Sequence, residues 1–213
     1  KRHYPQLADA DNPALALLQG VSDRQAALVA RWQLLGFIHG VMNTDNMLLC
    51  GETIDYGPCA FMDSFHPDTV FSSIDHGGRY AYRNQPAIAH WNLAALAQAL
   101  LPLLHPEEEQ AVALAQETVD QVPEQFLAAH RRGMAAKLGL SAWREEDQLL
   151  VDELFQLMAA GSADFTLAFR RLYDLAAADE RGGVRHLFEF SDAFLPWLAR
   201  WRERLQGDSA PLG

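Results

Sequence analysis

Apolar residues recur at helical spacing near the start of the chain and again through its second half. Between residues 22 and 40 they form a continuous stripe, and Ser22 is a suitable N-cap, which together predict a helix over 22–40. A shorter helix is predicted around 14–18. The helical period returns at residue 87 and predicts a helical region over 87–206, followed by a tail over 207–213. These elements predict a mainly α protein.

Proline and N-capping residues divide the helical region into separate helices. Residues 107–138 keep a helical pattern, in which Pro123 predicts a kink or a break because proline lacks the amide proton that the helix requires. Ser141, Ser162 and Ser191 are each followed by apolar residues at helical spacing, and each is predicted to cap a further helix. The second half of the chain is therefore predicted to be a helical bundle.

The hydrophobic period changes between the two helical parts. Residues 47–55 consist of two short runs that flank Gly51, and they predict a two-stranded β-hairpin over 47–55. Residues 56–86 keep no helical period and are rich in Gly, Pro, Asp, Ser and His, so they predict a long loop. Loops of this length inside a compact domain are more often functional than idle. A functional site is therefore expected around the hairpin and this loop.

Candidate chemistry lies at both ends of the hairpin. The segment HGVMNTDN, residues 39–46, precedes it, and the triplet DYG, residues 55–57, ends it. Pairing of the strands would bring the side-chain oxygens of Asn46 and Asp55 to the same end, and Mg²⁺ prefers oxygen ligands. The spacing matches the metal-binding half of a kinase-like phosphoryl-transfer site. Asn46 and Asp55 are therefore predicted metal ligands, and Asp55 is also the predicted cofactor-binding residue.

The position of the catalytic base is irregular. In the usual kinase-like loop the catalytic Asp comes two residues after the His, but that position holds Val41 in this chain. Asp45 directly precedes the predicted ligand Asn46. Its carboxylate could accept a proton from an attacking hydroxyl, orient a water or hold a second metal. Asp45 is therefore the predicted catalytic residue, and the residues alone leave these three roles open.

Composition and charge narrow the choice of partners. Of the 213 residues, 49% are apolar and 21% are charged, as in ordinary globular domains. The net charge of −11 without a Lys/Arg-rich run argues against a nucleic-acid partner, whereas Mg²⁺ could neutralise a bound nucleotide locally. Cys50 and Cys59 do not make a disulfide framework.

Targeting signals are also absent from the sequence pattern. No apolar run reaches the length of about 18 residues that a membrane-spanning helix needs, so no membrane partner is expected. The first residues lack the basic and apolar parts of a signal peptide. The expected location is the cytoplasm of a bacterium, or an organellar matrix if the source is eukaryotic.

Four motifs resemble the selenoprotein O family. They are HGVMNTDNM at residues 39–47, TIDYGP at 53–58, GRYAYRNQP at 78–86 and WNL at 91–93. The resemblance covers about residues 20–104 with specific motifs and continues more loosely into the helical region.

This resemblance implies a protein-kinase-like fold and an AMPylation activity. Family members bind ATP in a flipped orientation and transfer AMP to Ser, Thr or Tyr hydroxyls of proteins, with release of pyrophosphate. On the matching positions, Asp45 corresponds to the proton acceptor, and Asn46 and Asp55 correspond to the Mg²⁺ ligands, with Mn²⁺ as an alternative metal. The shifted base also accounts for Val41. The family was long regarded as pseudokinases because the usual catalytic Asp is missing.

The sequence departs from the family in its first part. The N-terminal lobe, with its Gly-rich stretch and nucleotide-positioning Lys and Arg residues, would precede His39, and only 38 residues do so. Lys1 and Lys137 are the only lysines, and neither lies in a strand of that type. Residues 1–206 are therefore expected to form the C-terminal lobe of a longer protein. The N-terminal lobe of that protein is an expected partner, and the chain alone is expected to be inactive or very weak.

Three functions compete at this point. The first is a protein adenylyltransferase that uses ATP and modifies proteins. The second is a conventional kinase that transfers the γ-phosphoryl group, and the third is a catalytically inactive, kinase-shaped binding module. For the fold, the alternative to the kinase-like lobe is an all-α domain with an incidental β-ribbon.

Overall fold

The computed structural model describes residues 2–177 and 193–208. Within these ranges the chain is mainly helical with a small two-stranded antiparallel sheet, which confirms the mainly α prediction. The helices are α1 Pro13–Leu35, α2 Gln85–Leu104, α3 Glu108–Asp120, α4 Val122–Lys137, α5 Asp147–Ala160, α6 Phe165–Ala177 and α7 Phe194–Gln206. The strands are β1 Phe37–Ile38 and β2 Ala60–Phe61, and 3₁₀ turns cover Pro5–Asp9, Thr44–Asn46 and Tyr82–Asn84.

Helix α1 begins and ends earlier than the sequence predicted. Pro13 occupies the first turn, and the side chain of Asn12 accepts a hydrogen bond of 3.0 Å from the amide three residues later, so Asn12 is the N-cap. Ser22 is fully buried inside the helix. The helix stops because Gly36 adopts a left-handed conformation with a φ of 67°. The predicted helix over 22–40 is therefore wrong at both ends, and the separate helix at 14–18 is part of α1.

The predicted hairpin over 47–55 is reduced to a single bridge between Met47 and Thr53. Gly51 makes its turn with a φ of 82°. Gln25 of α1 donates its side-chain amide to the carbonyl groups of Leu48 and Glu52, one on each arm of the turn. Strands β1 and β2, which flank the turn on either side, form the sheet instead.

The predicted loop over 56–86 is mostly irregular but is not free of regular structure. It contains β2 and a 3₁₀ turn, and α2 already begins at Gln85. The carboxylate of Asp75 accepts hydrogen bonds of 2.8 Å from the amides of Arg79 and Tyr80, so it caps a tight turn. The loop therefore has a defined path that returns to the segment before the hairpin.

The helical region is divided where Pro123 predicted a break. Helix α3 ends and α4 begins on either side of one linking residue, with Pro123 in the first turn of α4. Helix α5 starts later than Ser141, at Asp147. Helix α6 is capped by Asp164, whose Oδ1 accepts a hydrogen bond of 2.7 Å from the amide three residues on, and not by Ser162.

The largest hydrophobic core lies among helices α4 to α7 and strand β1. Trp197 and Trp201 of α7 stack in it at 5.8 Å, and Asp147 and Arg204 form a buried ion pair at its edge. Helices α1, α2 and α3 form a second layer with smaller clusters. Ser191, the predicted cap of the last helix, and residues 209–213 of the predicted tail lie outside the described residues.

Helix α2 is apolar enough to be compared with a membrane span. By length and composition alone, the 23 residues Tyr82–Leu104 could cross a membrane, contrary to the expectation that no stretch would qualify. The core helix of a soluble protein passes the same test, and α2 packs against both α1 and α3. Its buried Gln85 and Asn92 also donate hydrogen bonds to backbone carbonyls of residues 37–55, the site segment, which carries the predicted site residues. In this structure 28% of that stretch is buried, and α2 packs against α1 and α3 and supports the site.

Acid is expected to destabilise the protein through His130 on α4. Burial, together with the nearby charge of Lys137, lowers the pKa of His130 to about 4, below the ordinary 6.5. The unfolded state therefore binds the proton first, so this contribution to stability is complete above about pH 6.5 and is lost as the pH falls towards 4. Between pH 7.5 and about pH 4.5 the free energy of unfolding should fall by about 2 kcal/mol more for the wild type than for His130→Gln.

Denaturant titrations at the two pH values measure this difference. His66→Gln is the matched control because His66 is exposed in the loop. An equal acid sensitivity of the wild type and His130→Gln would show that His130 does not carry the effect.

Candidate active site

The turn Thr44–Asn46 fixes the first predicted metal ligand. Asn46 is buried, and its Nδ2 donates a hydrogen bond of 2.9 Å to the Val41 carbonyl. Its own carbonyl accepts hydrogen bonds from Thr53 Oγ1 at 2.8 Å and from the Ile54 amide at 3.1 Å. The side chain and the backbone of Asn46 are therefore both held, by the segments before and after it.

Asp55 lies next to Asn46 in space. The distance from Asp55 Oδ2 to Asn46 Nδ2 is 3.5 Å, so the structure brings the two predicted ligands together. Asp55 is exposed and has a φ of 59°, in the left-handed region that few residues other than glycine adopt. Such backbone conformations persist where the surroundings impose them, and they concentrate at functional sites.

The donor atoms at this position fit a hard divalent cation. Because Asn46 Nδ2 donates to the Val41 carbonyl and is also the atom nearest to the Asp55 carboxylate, the amide oxygen Oδ1 is the atom of this side chain that is left for a cation. Within residues 2–177 and 193–208, no group of three or more His, Cys, Asp or Glu side chains is placed to hold a metal. Two oxygen ligands from the protein suit Mg²⁺, which usually keeps waters and substrate phosphates in its shell.

Asp45 is in the same turn, directly before Asn46. It is exposed, whereas Asn46 is buried, so the two neighbouring side chains face different surroundings. An exposed carboxylate beside the two predicted metal ligands can be reached by the hydroxyl of another molecule. The placement therefore suits an acid–base role towards a bound substrate.

His39 links the two halves of the site from inside the core. It is fully buried and stacks on Trp32 with ring centroids 5.5 Å apart. Its Nδ1 accepts a hydrogen bond of 3.2 Å from the Val41 amide, which assigns the proton to Nε2, and Nε2 lies 2.9 Å from both the Ile54 carbonyl and Thr53 Oγ1. Burial lowers the pKa of His39 and favours this neutral form. His39 therefore positions the loop and does not face a substrate.

Three buried amide side chains from α1 and α2 hold the site segment in place. Gln25 Nε2 donates to the Leu48 carbonyl at 2.8 Å, and Asn92 Nδ2 donates to the Met42 carbonyl at 2.9 Å. Gln85 accepts a hydrogen bond of 3.0 Å from the His39 amide and donates one of 2.9 Å to the Phe37 carbonyl. The sequence pattern does not indicate this supporting role for the three residues.

Replacing Gln85 with Glu is expected to destabilise the protein by about 2–3 kcal/mol. Gln85 is fully buried, and Glu can still accept from the His39 amide, but its second oxygen would oppose the Phe37 carbonyl, which needs a donor. The free energy of unfolding should show the loss at neutral pH, and Gln98→Glu on the exposed face of α2 should leave it unchanged. A Gln85→Glu variant as stable as the wild type would contradict the assigned role.

The loop over 56–86 returns to the site through Tyr80. Its hydroxyl donates a hydrogen bond of 2.6 Å to Asn43 Oδ1, two residues before Asp45. The Arg79 guanidinium lies 5.1 Å from the ring centroid of Trp91 on α2. These residues thus have structural partners, and they form the exposed border of the site on the side of the loop.

Comparison of the amino-acid sequence with known proteins shows which class of protein this chain is similar to. The relatives with high identity are named protein nucleotidyltransferase YdiU. The one from Rhodopseudomonas palustris (strain HaA2) is 57% identical over 206 residues, which cover 96% of this chain and 42% of the relative. Those from Rhizobium etli and Bradyrhizobium sp. (strain ORS 278) are 56% and 54% identical, over 97% and 96% of this chain.

The family assignment is equally direct. Residues 1–210 match the family model described as protein adenylyltransferase SelO. This chain belongs to that family, which confirms the resemblance drawn from the four motifs. The chain spans about 42% of the length of the curated relatives that it matches.

Proposed function

We propose that this chain carries the metal-binding and proton-accepting part of a protein adenylyltransferase site. Membership of the adenylyltransferase family supports the reaction class. The observation that carries the proposal is the approach of Asp55 Oδ2 to Asn46 Nδ2, at 3.5 Å, beside the exposed Asp45. The substrates proposed are ATP and the Ser, Thr or Tyr hydroxyl of a protein.

Asp45 acts as the general base in this reaction. The hydroxyl oxygen of the acceptor protein forms a bond with the α-phosphorus of ATP, and the bond from that phosphorus to the oxygen bridging to the β-phosphate breaks. Pyrophosphate leaves, and the hydroxyl proton passes to the Asp45 carboxylate. The exposure of Asp45 allows a large acceptor to reach it.

Asn46 and Asp55 are the residues that would hold Mg²⁺ or Mn²⁺. A bound divalent cation supplies charge neutralisation for the phosphates and for the charge that develops during transfer. Asn46 and Asp55 contribute two oxygen donors at fixed positions. His39 and Thr53 keep these donors together by joining the segment before Asn46 to the segment that carries Asp55.

The fold proposed for this chain is the C-terminal lobe of a kinase-like protein. The order of elements along the chain supports this proposal. The long helix α1 comes first, followed by the segment with the predicted ligands, an irregular loop and then the remaining helices. The remainder of the full-length protein would supply the groups that clamp the nucleotide. A cytoplasmic location in bacteria, or an organellar matrix in eukaryotes, stays a prediction, as does the absence of nucleic-acid and membrane partners.

Labelled ATP distinguishes this proposal from its two alternatives. The full-length protein is incubated with an acceptor protein and with ATP labelled at either the α- or the γ-phosphate. Adenylyl transfer predicts protein-bound label from the α position only. Label from the γ position only would instead establish a kinase, and nucleotide binding without any transfer would establish an inactive binding module.

A further inference from the structure

An exposed arginine without a carboxylate partner lies at the border of the site. Among the residues that the structure describes, the Arg79 guanidinium forms no ion pair and donates no hydrogen bond. Arg83 of the same loop, by contrast, pairs with Asp68 at 2.8 Å. The chain has a net charge of −11, so carboxylates are plentiful on it. A guanidinium that nevertheless stays unpaired is available to an anionic group of another molecule.

The backbone of Arg79 is held by a tight turn. The two carboxylate oxygens of Asp75 accept hydrogen bonds of 2.8 Å from the amides of Arg79 and Tyr80, so this carboxylate is occupied by the backbone. Asn84 Nδ2 donates a hydrogen bond of 2.7 Å to the carbonyl of Gly78, the residue before Arg79. The exposed guanidinium therefore extends from a chain segment with a fixed position.

Two aromatic rings position the guanidinium itself. It lies 5.1 Å from the ring centroid of Trp91 and 5.8 Å from that of Tyr80. Contact with a ring face uses the π surface of a guanidinium and leaves its N–H groups available, and these groups match a carboxylate in a bidentate arrangement. The Trp91 side chain is 55% exposed, so its remaining surface can contact the apolar stem of an acidic side chain.

Arg79 is connected to the proposed base through Tyr80. The Tyr80 hydroxyl donates a hydrogen bond of 2.6 Å to Asn43 Oδ1, and Asn43 precedes Asp45 by two positions. One tyrosine ring and a short stretch of chain therefore separate the guanidinium from Asp45. An extended peptide advances about 3.3 Å per residue. A carboxylate about three residues from a hydroxyl at Asp45 can thus reach Arg79.

We propose that Arg79 binds an Asp or Glu side chain of the acceptor protein, about three residues from the hydroxyl that is modified. This inference rests on the proposed function, since it requires a protein acceptor at Asp45. The phosphates of ATP belong to the cation proposed at Asn46 and Asp55. Arg79 thereby favours acidic acceptor sequences, which the net charge of −11 would otherwise repel.

Matched peptides test this preference without any transfer. They share one serine in a neutral sequence and carry Glu, Gln or Lys about three residues away on both sides. Fluorescence anisotropy measures their binding to the full-length protein in the presence of a non-hydrolysable ATP analogue. The Glu peptide should bind about fivefold more tightly than the Gln peptide. Because the contact is exposed, this difference should shrink as the salt concentration rises.

Three variants assign the preference to Arg79. Arg79→Gln should bind the Glu and Gln peptides equally while keeping the wild-type affinity for the ATP analogue. Arg79→Glu should prefer the Lys peptide over the Glu peptide about fivefold, a reversal that a misfolded protein would not show. Arg170→Gln is the matched control, because Arg170 on α6 also lies beside a tyrosine ring, at 5.4 Å from Tyr173, but pairs with Asp174. It should keep the wild-type preference.

Three results would overturn the proposal. The first is that the wild type binds none of the peptides or binds the Glu and Gln peptides equally, a comparison that needs no variant to fold. The second is a preference for Glu that persists in Arg79→Gln. The third is weaker binding of the ATP analogue by Arg79→Gln with an unchanged peptide preference, which would assign Arg79 to the nucleotide.

The labelled-ATP experiment is independent of these measurements. Transfer from the α position without a preference for the Glu peptide would refute the role of Arg79 alone. A preference that depends on Arg79, without transfer from the α position, would refute the proposed function alone.

Discussion

Replacing Asp55 with Asn should lower nucleotidyl transfer by the full-length protein about a thousandfold. Asn keeps the size of the side chain and tolerates the left-handed backbone at φ 59°, so the loop should stay intact. What is lost is the negative charge of the predicted metal ligand beside Asn46. A barrier increase of about 4 kcal/mol corresponds to this factor. Initial rates of label incorporation from α-labelled ATP measure it.

The control for this variant is Asp120→Asn. Asp120 is exposed at the end of α3, where its carboxylate accepts a hydrogen bond from Gln116, away from the site. That variant should transfer AMP at the wild-type rate. If Asp55→Asn retained activity within about tenfold of the wild type, Asp55 could not be a required metal ligand.

Replacing Asp45 with Asn should lower the turnover number about 10²- to 10⁴-fold while leaving nucleotide binding unchanged. Asp45 is exposed, so its loss removes a proton acceptor without removing a buried contact. The KM for ATP and the melting temperature should therefore match those of the wild type. Asp23→Asn on the exposed face of α1 is the matched control.

The turnover number, compared with the KM and the melting temperature of the Asp45→Asn variant, distinguishes a catalytic role of Asp45 from a structural one. A fall in turnover with constant KM and melting temperature assigns Asp45 to the chemical step. A fall in melting temperature would instead assign it a structural role, and unchanged turnover would rule it out as the base.

The association of Asn46 with Asp55 could be predicted from the sequence because it depends on local chain geometry. Asp55 follows Asn46 by nine positions, and a turn at Gly51 is enough to bring the chain back to Asn46. The predicted hairpin has more regular strand pairing than the structure, which has a single bridge between Met47 and Thr53. That bridge is enough to bring Asn46 and Asp55 together. The association therefore required only the turn and did not require the full ladder.

The start of α1 shows where hydrophobic periodicity is insufficient. Ser22 has the right chemistry for an N-cap, but a serine inside a helix can be buried, and Pro13 preceded by Asn12 is the stronger start signal. The last part of the predicted helix fails for a similar reason. Gly36 changes the chain direction, and apolar residues after it enter strand β1 instead of continuing the stripe.

The supporting amides could not be predicted because their partners are distant in sequence. Gln85 bonds His39 across 46 residues, and Asn92 bonds Met42 across 50. Polar side chains on the buried face of an otherwise apolar helix were the available signal, since such groups need hydrogen-bond partners. The sequence does not indicate which backbone groups those partners are, because that depends on how α1 and α2 pack around the loop.

The most direct test of the metal site is a crystal structure of the full-length protein with Mn²⁺ and a non-hydrolysable ATP analogue. The anomalous signal of Mn²⁺ locates the metal independently of the protein atoms. The metal should lie within about 2.0–2.3 Å of both Asn46 Oδ1 and a carboxylate oxygen of Asp55, with phosphate oxygens completing its shell. A metal bound to the nucleotide without contact to either residue would contradict the assignment of Asn46 and Asp55 as metal ligands.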